Sequence, residues 1–171
     1  FYKIAELQAA QIEQGAYALL RDERGFITEG TGNNVFMVRD GQVLTPKPHD
    51  ILRGVSREFC MELASKLGYS VCEEDIEPYD FREADEAWYT STTVCMVPIT
   101  RFDLRPIGDG APGPVYEKLL AAWSEEVGVD IAGGSHRVAY PVAFTFAHNS
   151  SSVFFFFFFL FRFFRAAARV N

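Results

Sequence analysis

The spacing of apolar residues predicts three helices in the first part of the chain. In residues 3–14 apolar positions recur at helical spacing, and Gly15 ends the pattern. A second helix is predicted after Gly54, and Pro114 opens a third. The second and third helices each have one apolar face. In the first helix the residues at helical spacing are Ile4, Leu7, Gln8 and Ile12.

Short apolar runs between turn signals predict strands. The runs are 16–21, 26–28, 34–39, 42–45, 69–73, 86–90 and 95–102. Asp40-Gly41, between two of them, is a strong hairpin signal, because both positions of such a turn need positive φ. Some consecutive strands are predicted to be joined by hairpins, and others are separated by helices. The predicted class is therefore α+β, with a mixed or barrel-like sheet and flanking helices.

Composition narrows the possible functions. The 171 residues are 49% hydrophobic with a formal charge of −7, so the chain can form a core but lacks the excess cations of a sequence-independent nucleic-acid binder. Three cysteines without a CxxC motif suggest neither a disulfide framework nor a zinc site. Reduced thiols and a cytoplasmic location are the default interpretation.

The two ends of the chain are unusual. All 23 acidic residues lie at or before Asp130, and a run from Val153 to Phe161 is apolar until Arg162 interrupts it. That run is shorter than the roughly 20 residues needed to cross a bilayer, which argues against a membrane anchor. We predict a domain over 1–131 and a low-complexity tail over 132–171, non-native or disordered. The start at Phe1 instead of Met suggests an internal fragment of a longer protein.

Three segments have residues suited to binding a charged ligand. In 27–36, Glu29 leads from a strand into a glycine-containing loop beside two amides, although an ordinary surface glutamate would look the same. In 52–57, backbone N–H groups and Ser56 at a helix start favour an anion, unless Ser56 simply caps the helix. Residues 90–93 supply four hydroxyls at a strand end, a pattern that a threonine-rich edge would also produce.

The order and separation of these segments resemble the fold-type IV pyridoxal-phosphate enzymes. This family includes branched-chain aminotransferases, D-amino-acid aminotransferases and aminodeoxychorismate lyases. The matching stretches are 18–22, 25–36, 40–46, 52–57, 84–93, 97–101 and 107–115. The resemblance implies that the chain folds as the larger, C-terminal domain of these enzymes and lacks their N-terminal domain. It also places Leu104 in a turn where the family commonly has glycine.

The resemblance implies pyridoxal 5′-phosphate as the cofactor and assigns residues to it. Glu29 matches the carboxylate that faces the pyridine nitrogen, where negative charge keeps that nitrogen protonated. Two positions, Thr93 and Tyr2, match the substrate-carboxylate contact and the tyrosine near the ring hydroxyl. The phosphate contacts correspond to Val55, Ser56, Ser91 and Thr92. We expect the N–H groups of Val55 and Ser56 and the hydroxyl of Thr92 to converge on one phosphate-sized space.

No catalytic residue is assigned within the chain, because the family's Schiff-base lysine falls upstream of Phe1. Lys3 lies inside the predicted helix, where it cannot reach the cofactor's C4′ carbon while Glu29 holds the nitrogen. The implied reaction is transamination of a branched-chain or related amino acid with a 2-oxo acid, in a homodimer. This fragment alone is expected to be inactive. Two alternatives stay open: an aminodeoxychorismate-lyase-like enzyme, and a truncated fragment without activity.

Overall fold

The computed structural model describes residues 2–12, 16–131 and 143–146, without the side chains of Tyr2 and of 143–146. The helices are α1 Tyr2–Ile12, α2 Val55–Lys66, α3 Pro78–Arg82 and α4 Pro114–Val127. The first strands are β1 Tyr17–Arg21, β2 Ile27–Gly30, β3 Asn34–Arg39, β4 Gln42–Pro46 and β5 Val71–Glu74. The remaining strands are β6 Glu86–Ser91, β7 Cys95–Pro98, β8 Arg101–Phe102, β9 Arg105–Pro106 and β10 Ala143–Phe146.

The strands form two five-stranded sheets. Sheet A has the order β2-β1-β10-β8-β9, and sheet B has the order β5-β4-β3-β6-β7. Strand β10 pairs parallel with β1 and β8, and β4 pairs parallel with β5, whereas the other neighbours are antiparallel. The predicted α+β class with mixed sheets is confirmed. The strands do not close into a barrel but form two separate sheets.

The hairpin between β3 and β4 has the predicted turn. Asp40 and Gly41 have φ values of 53° and 74°, as a two-residue turn with two left-handed positions requires. This turn fixes the register in which Met37 pairs with Leu44. Because side chains alternate along a strand, β3 then presents Phe36 to one face of sheet B and Met37 to the other.

Sheet B lies between two apolar cores. On one face, side chains of β3 and β6 pack against α2 and α4, with Phe36 stacked on Trp88 at 5.6 Å between ring centroids. On the other face, residues of sheet B meet residues of sheet A and of α3, including Met37 and Phe102. Helix α1 packs on the far side of sheet A through a third, smaller cluster. The layers therefore run from α2 and α4 through sheet B and sheet A to α1.

Helix α1 lies where the sequence predicted it but with a different face inward. Ile4, Leu7 and Ile12 are 58%, 59% and 50% exposed, whereas Ala5 and Ala9 are buried. The apolar residues whose spacing predicts this helix therefore face outward. Small alanine side chains let the helix lie close to β1, where Ala18 and Leu20 complete the cluster.

The predicted strand over 95–102 is divided in two. Strand β7 ends at Pro98 in sheet B, and β8 begins at Arg101 in sheet A, so the chain changes sheets between them. Strand β10 lies within 132–171, the range that the sequence sets apart as a tail. The other residues of that range lie outside the described residues, and the division into domain and tail stays a prediction.

A buried carboxylate holds the start of α4. Glu86 accepts hydrogen bonds from the backbone N–H groups of Val115 (3.0 Å) and Tyr116 (2.9 Å). N–H groups in the first turn have no partner within the helix, and a carboxylate at this end of a helix interacts favourably with the helix dipole. Gly113 precedes the helix, and a methyl group at this position would overlap the Glu86 side chain. This contact joins α4 to the first residue of β6.

Candidate functional site

The candidate site lies where the chain leaves sheet A and enters sheet B. Strand β2 ends at Gly30, and β3 begins at Asn34 after a three-residue turn. The turn is tight: the Gly30 N–H donates to Asn33 O (3.0 Å) and the Gly32 N–H donates to Gly30 O (2.9 Å). Gly32 has φ of 138°, a backbone conformation that favours glycine. The turn brings the side chains of Glu29 and Asn34 together.

Three hydrogen bonds form a closed ring at this junction. The Leu52 N–H donates to Glu29 Oε2 (2.9 Å), and Asn34 Nδ2 donates to Leu52 O (2.8 Å). Asn34 Nδ2 also donates to the same Glu29 Oε2, at a longer 3.3 Å. Both neighbours of Nδ2 are acceptors, so the orientation of the Asn34 amide follows from its partners. All bonds to Glu29 in this ring use Oε2, which leaves Oε1 outside it.

The electrostatic environment of Glu29 favours a cationic partner. Partial burial raises the pKa of its carboxyl group, and the hydrogen bond from Leu52 N–H acts in the opposite direction. A partly buried carboxylate that stays ionised is stabilised when a cation approaches its remaining oxygen. A protonated ring nitrogen would provide such a cation.

The start of α2 adjoins the ring. Gly54 precedes the helix, and a methyl group at this position would overlap Asn34 Oδ1. No side chain caps the first turn of α2, so Ser56 is not the helix cap, which was the alternative interpretation of this segment. Val55 is 80% exposed, whereas the Ser56 side chain is buried. The N–H groups of this turn have the geometry and the dipole to attract an anion.

The hydroxyl-rich segment lies at the end of β6, the neighbour of β3. Thr90 is paired with Asn34 across the sheet, and Ser91 is the last residue of the strand. The Ser91 and Thr93 hydroxyls are 2.9 Å apart, and Thr92 and Thr93 are exposed in the turn that follows. This register places the segment at the same end of β3 as Asn34. Convergence of Ser56 and Thr92 on one space stays a prediction, as do the assigned roles of these residues.

Two further residues from the sequence analysis lie in α1. The side chain of Tyr2 lies outside the described residues, so its assignment to the ring hydroxyl stays a prediction. Lys3 is exposed on the helix.

Sequence reasoning missed three contributors to this region. Asn34 was noticed only as one of two amides, and its contact with the Leu52 backbone gives no side-chain signal. Thr90 is 1% exposed, and its hydroxyl has no hydrogen-bond partner among the residues that the structure describes. Glu6 accepts a hydrogen bond from Thr31, which ties α1 to the turn beside Glu29. Of these three residues, only Thr90 could have been identified from a local sequence pattern, because it belongs to the run of hydroxyl side chains at 90–93.

The described residues offer no alternative metal centre. Among them, no group of three or more His, Cys, Asp or Glu side chains is placed to hold a metal ion. The three cysteines are free, and burial raises the pKa of the Cys60 thiol to about 12, so this thiol is not a nucleophile near neutral pH. No helix in the described ranges has the length and apolar character to cross a membrane.

Comparisons with known proteins point to one family. The family model described as Amino-transferase class IV matches residues 2–102. A branched-chain-amino-acid aminotransferase of Pseudomonas aeruginosa is 37% identical over 110 residues, which are 64% of this chain and 36% of the relative. A D-alanine aminotransferase of Bacillus licheniformis is 32% identical over 127 residues, which are 74% of this chain and 44% of the relative.

Solved structures show the same relationship. The branched-chain amino acid aminotransferase from Thermobaculum terrenum in its PLP-form matches with a TM-score of 0.68 and 29% identity, covering 81% of this chain and 44% of that chain. An aminotransferase from Brucella abortus bound to the cofactor PLP matches with a TM-score of 0.69 and 33% identity, covering 75% and 45%. The chain thus spans less than half of the length of these relatives.

Proposed function

The chain belongs to the amino-transferase class IV family, and we propose that it forms the pyridoxal-phosphate-binding part of an aminotransferase. The reaction would transfer the amino group of a branched-chain or related amino acid to a 2-oxo acid. The observation that carries this proposal is the hydrogen-bonded ring at Glu29. It fixes one carboxylate oxygen, leaves the other outside the ring, and adjoins a helix start without a side-chain cap.

The residues present fit the two charged ends of pyridoxal phosphate. Glu29 would keep a proton on the ring nitrogen, since a partly buried carboxylate gains most from a cationic partner. The N–H groups of Val55 and Ser56 would hold the phosphate with the dipole of α2, a helix of 12 residues. Ser91 and Thr92 would add hydroxyl contacts from the neighbouring strand end. The bound cofactor supplies an electron-accepting ring that stabilises negative charge at the substrate Cα.

Other parts of the proposal rest on the family alone. Tyr2 would lie near the ring hydroxyl and Thr93 near the substrate carboxylate. The active form would be a homodimer in the cytoplasm. Because a D-alanine aminotransferase is among the relatives, a D-amino acid is the second candidate for the amino donor.

A pair of variants tests the proposal. With cofactor at saturation, Glu29→Gln should slow transamination, because a neutral amide stabilises a protonated ring nitrogen less well. A hydrogen bond to a charged group contributes about 1.5–3 kcal/mol, which corresponds to roughly 10- to 150-fold in rate. Thr92→Ala should mainly weaken cofactor binding and recover with excess pyridoxal phosphate, because it removes ground-state binding.

The two measurements are separate. Cofactor binding is measured on the 171-residue chain by fluorescence titration, and single-turnover rates are measured on the full-length enzyme with L-leucine and with D-alanine. A chain that binds neither pyridoxal phosphate nor pyridoxamine phosphate would contradict the cofactor assignment. Turnover at the parent rate in Glu29→Gln would contradict the role of Glu29. A higher rate with D-alanine than with L-leucine would favour the second donor.

A further inference from the structure

We propose that Asn34 is a positioning residue of the cofactor site, which sets the placement of Glu29 relative to the start of α2. This inference rests on the proposed function, because Glu29 and α2 are taken to bind opposite ends of pyridoxal phosphate. The sequence assigned no role to Asn34, and the structure places it between these two elements.

Asn34 suits this role because its side-chain amide lies against three different residues. Its Nδ2 donates to Leu52 O at 2.8 Å and is 3.3 Å from Glu29 Oε2, and the amide is directed against Gly54 through Oδ1. The residue is 6% exposed, so water does not compete freely for these bonds. Asn34 is also the first residue of β3 and is paired with Thr90 of β6, which anchors its backbone in sheet B.

The segment leading into α2 is fixed through the main chain of Leu52. Its N–H donates to Glu29 and its C=O accepts from Asn34, so both polar groups of this residue are engaged. The Leu52 side chain is 65% exposed and does not anchor the segment. The position of the segment that precedes α2, relative to Glu29, therefore depends on the hydrogen-bonded ring, and Asn34 is the only side-chain amide in that ring.

The orientation of Glu29 Oε1 follows from the same contacts. With Oε2 held by Leu52 N–H and approached by Asn34, the carboxylate plane is restricted and Oε1 has a defined direction. Without Asn34, the Leu52 N–H would be the one hydrogen-bond donor to Glu29 left among the described residues, and Leu52 O would lose the bond from Asn34. We therefore expect a change in cofactor protonation that a loss of folding stability alone would not cause.

The test measures the protonation of the cofactor ring nitrogen directly. Pyridoxamine phosphate labelled with ¹⁵N in the ring is bound to the 171-residue chain, and its ¹⁵N chemical shift is followed against pH. In the parent the nitrogen should stay protonated to higher pH than in free solution. Asn34→Ala should lower that pKa and weaken pyridoxamine phosphate binding by about 10-fold to 100-fold, the order expected for a hydrogen bond that involves a charged group.

Thr45→Val is the matched control. Thr45 is buried, and its hydroxyl donates at 2.8 Å to the backbone oxygen of Val35, the residue that follows Asn34 in β3. The hydroxyl makes no hydrogen bond to Glu29 or Leu52. This variant should lower folding stability without changing the ring-nitrogen pKa. An unchanged pKa and affinity in Asn34→Ala would overturn the proposal. An equal shift in Thr45→Val would overturn it as well, because the effect would then be general destabilisation.

A second variant displaces Asn34 from the side of α2. In Gly54→Ala the added methyl group would overlap Asn34 Oδ1 and displace the amide, so the variant should reproduce the effect of Asn34→Ala. Once Asn34 is alanine the methyl group has room. The double variant should therefore be no weaker than Asn34→Ala alone. Full additivity of the two effects would count against the proposal.

Failure of the proposed function would be recognised separately. If the parent chain binds no pyridoxamine phosphate, the cofactor assignment is wrong, and the ¹³C carboxyl titration of Glu29 in the free chain decides the role of Asn34. A higher Glu29 pKa in Asn34→Ala, with no change in Thr45→Val, would support positioning of Glu29 by Asn34. The same pKa in all three chains would overturn it.

Discussion

At the scale of single residues, two hairpin turns have similar left-handed φ values but differ in their second residue, which is glycine in one and leucine in the other. Asp40 and Gly41 have φ values of 53° and 74°, and Asp103 and Leu104 have φ values of 49° and 64°. Glycine adopts this region without a steric penalty, whereas a residue with a Cβ atom does not. Leu104 is 51% exposed, so its packing offsets only part of the strain.

We expect Leu104→Gly to stabilise the protein by about 0.5–1 kcal/mol. Relief of a left-handed residue contributes about 1–2 kcal/mol, and the greater freedom of glycine in the unfolded chain removes about half of that. The converse variant Gly41→Leu should destabilise the protein, although the position has open space for a side chain. Urea denaturation of both variants checks the pair. A loss of stability in Leu104→Gly would show that the exposed leucine contributes more than its backbone costs.

Residues also show how far the candidate site could be predicted from sequence. Glu29 and the start of α2 were candidates because a carboxylate beside glycines and a helix start are local patterns, and the family resemblance supplied their roles, which stay predictions. The ring that joins them was not found, because its central member is the main chain of Leu52, and any residue type supplies the same N–H and C=O groups. The contact also spans 18 residues between Asn34 and Leu52, which no local pattern reports.

At the scale of elements, helical and hairpin signals located most of the fold. Asp40-Gly41 placed β3 and β4 almost to the residue, and Pro114 marked the start of α4. The apolar pattern in α1 located the helix but not its buried face. Periodicity alone does not reveal which partner a face meets, and two buried alanines fit β1 more closely than the larger residues would. Strand β9, with two residues, is too short to produce a pattern.

A polar contact connects helix α1 to the turn beside the candidate site. Glu6 accepts a hydrogen bond from Thr31, in the turn between β2 and β3, and is half-buried. Burial raises the pKa of the Glu6 carboxyl group, and the hydrogen bonds from Thr31 and from the Ala18 backbone lower it in part. The folded protein thus binds a proton at Glu6 more tightly than the unfolded chain does.

The raised pKa of Glu6 predicts that the free energy of unfolding depends on pH. Glu6 stabilises the fold most below its unfolded pKa, and that contribution falls as pH rises through the folded pKa. Glu6→Gln keeps an oxygen for Thr31 but carries no charge. Relative to the parent, the variant should therefore be more stable at about pH 7 than at about pH 4. Free energies of unfolding at both pH values check this.

Thr31→Val serves as the opposing variant. It removes a hydrogen bond that lowers the pKa of Glu6, so the pH dependence of the parent should become steeper in Thr31→Val. A difference between Glu6→Gln and the parent that is the same at both pH values would contradict the interpretation.

At the scale of the whole molecule, the layers differ in the kind of side chain that joins them. The core between sheet B and the helices α2 and α4 contains Phe36, Trp88 and Trp123, whereas the cluster under α1 consists of four alanines and Leu20. Apolar burial contributes about 25 cal/mol per Å², so alanines add far less than aromatic residues. Of the candidate site, Asn34 on β3 and the start of α2 adjoin this aromatic core, whereas Glu29 lies on β2 of sheet A.

This difference predicts an order of local unfolding. Amide hydrogens of α1 should exchange at a lower opening free energy than those of α2 and α4, since opening α1 exposes little apolar area. Hydrogen-exchange mass spectrometry of the 171-residue chain measures this, and Leu7→Gln serves as a control because Leu7 is already 59% exposed. The control should leave the exchange of α1 unchanged. Two results would mean that the outward apolar face of α1 is covered in solution. One is protection of the α1 amides from exchange equal to that of the α4 amides, and the other is loss of α1 protection in Leu7→Gln. If that protection also increased with protein concentration, a second copy of the chain would be the cover.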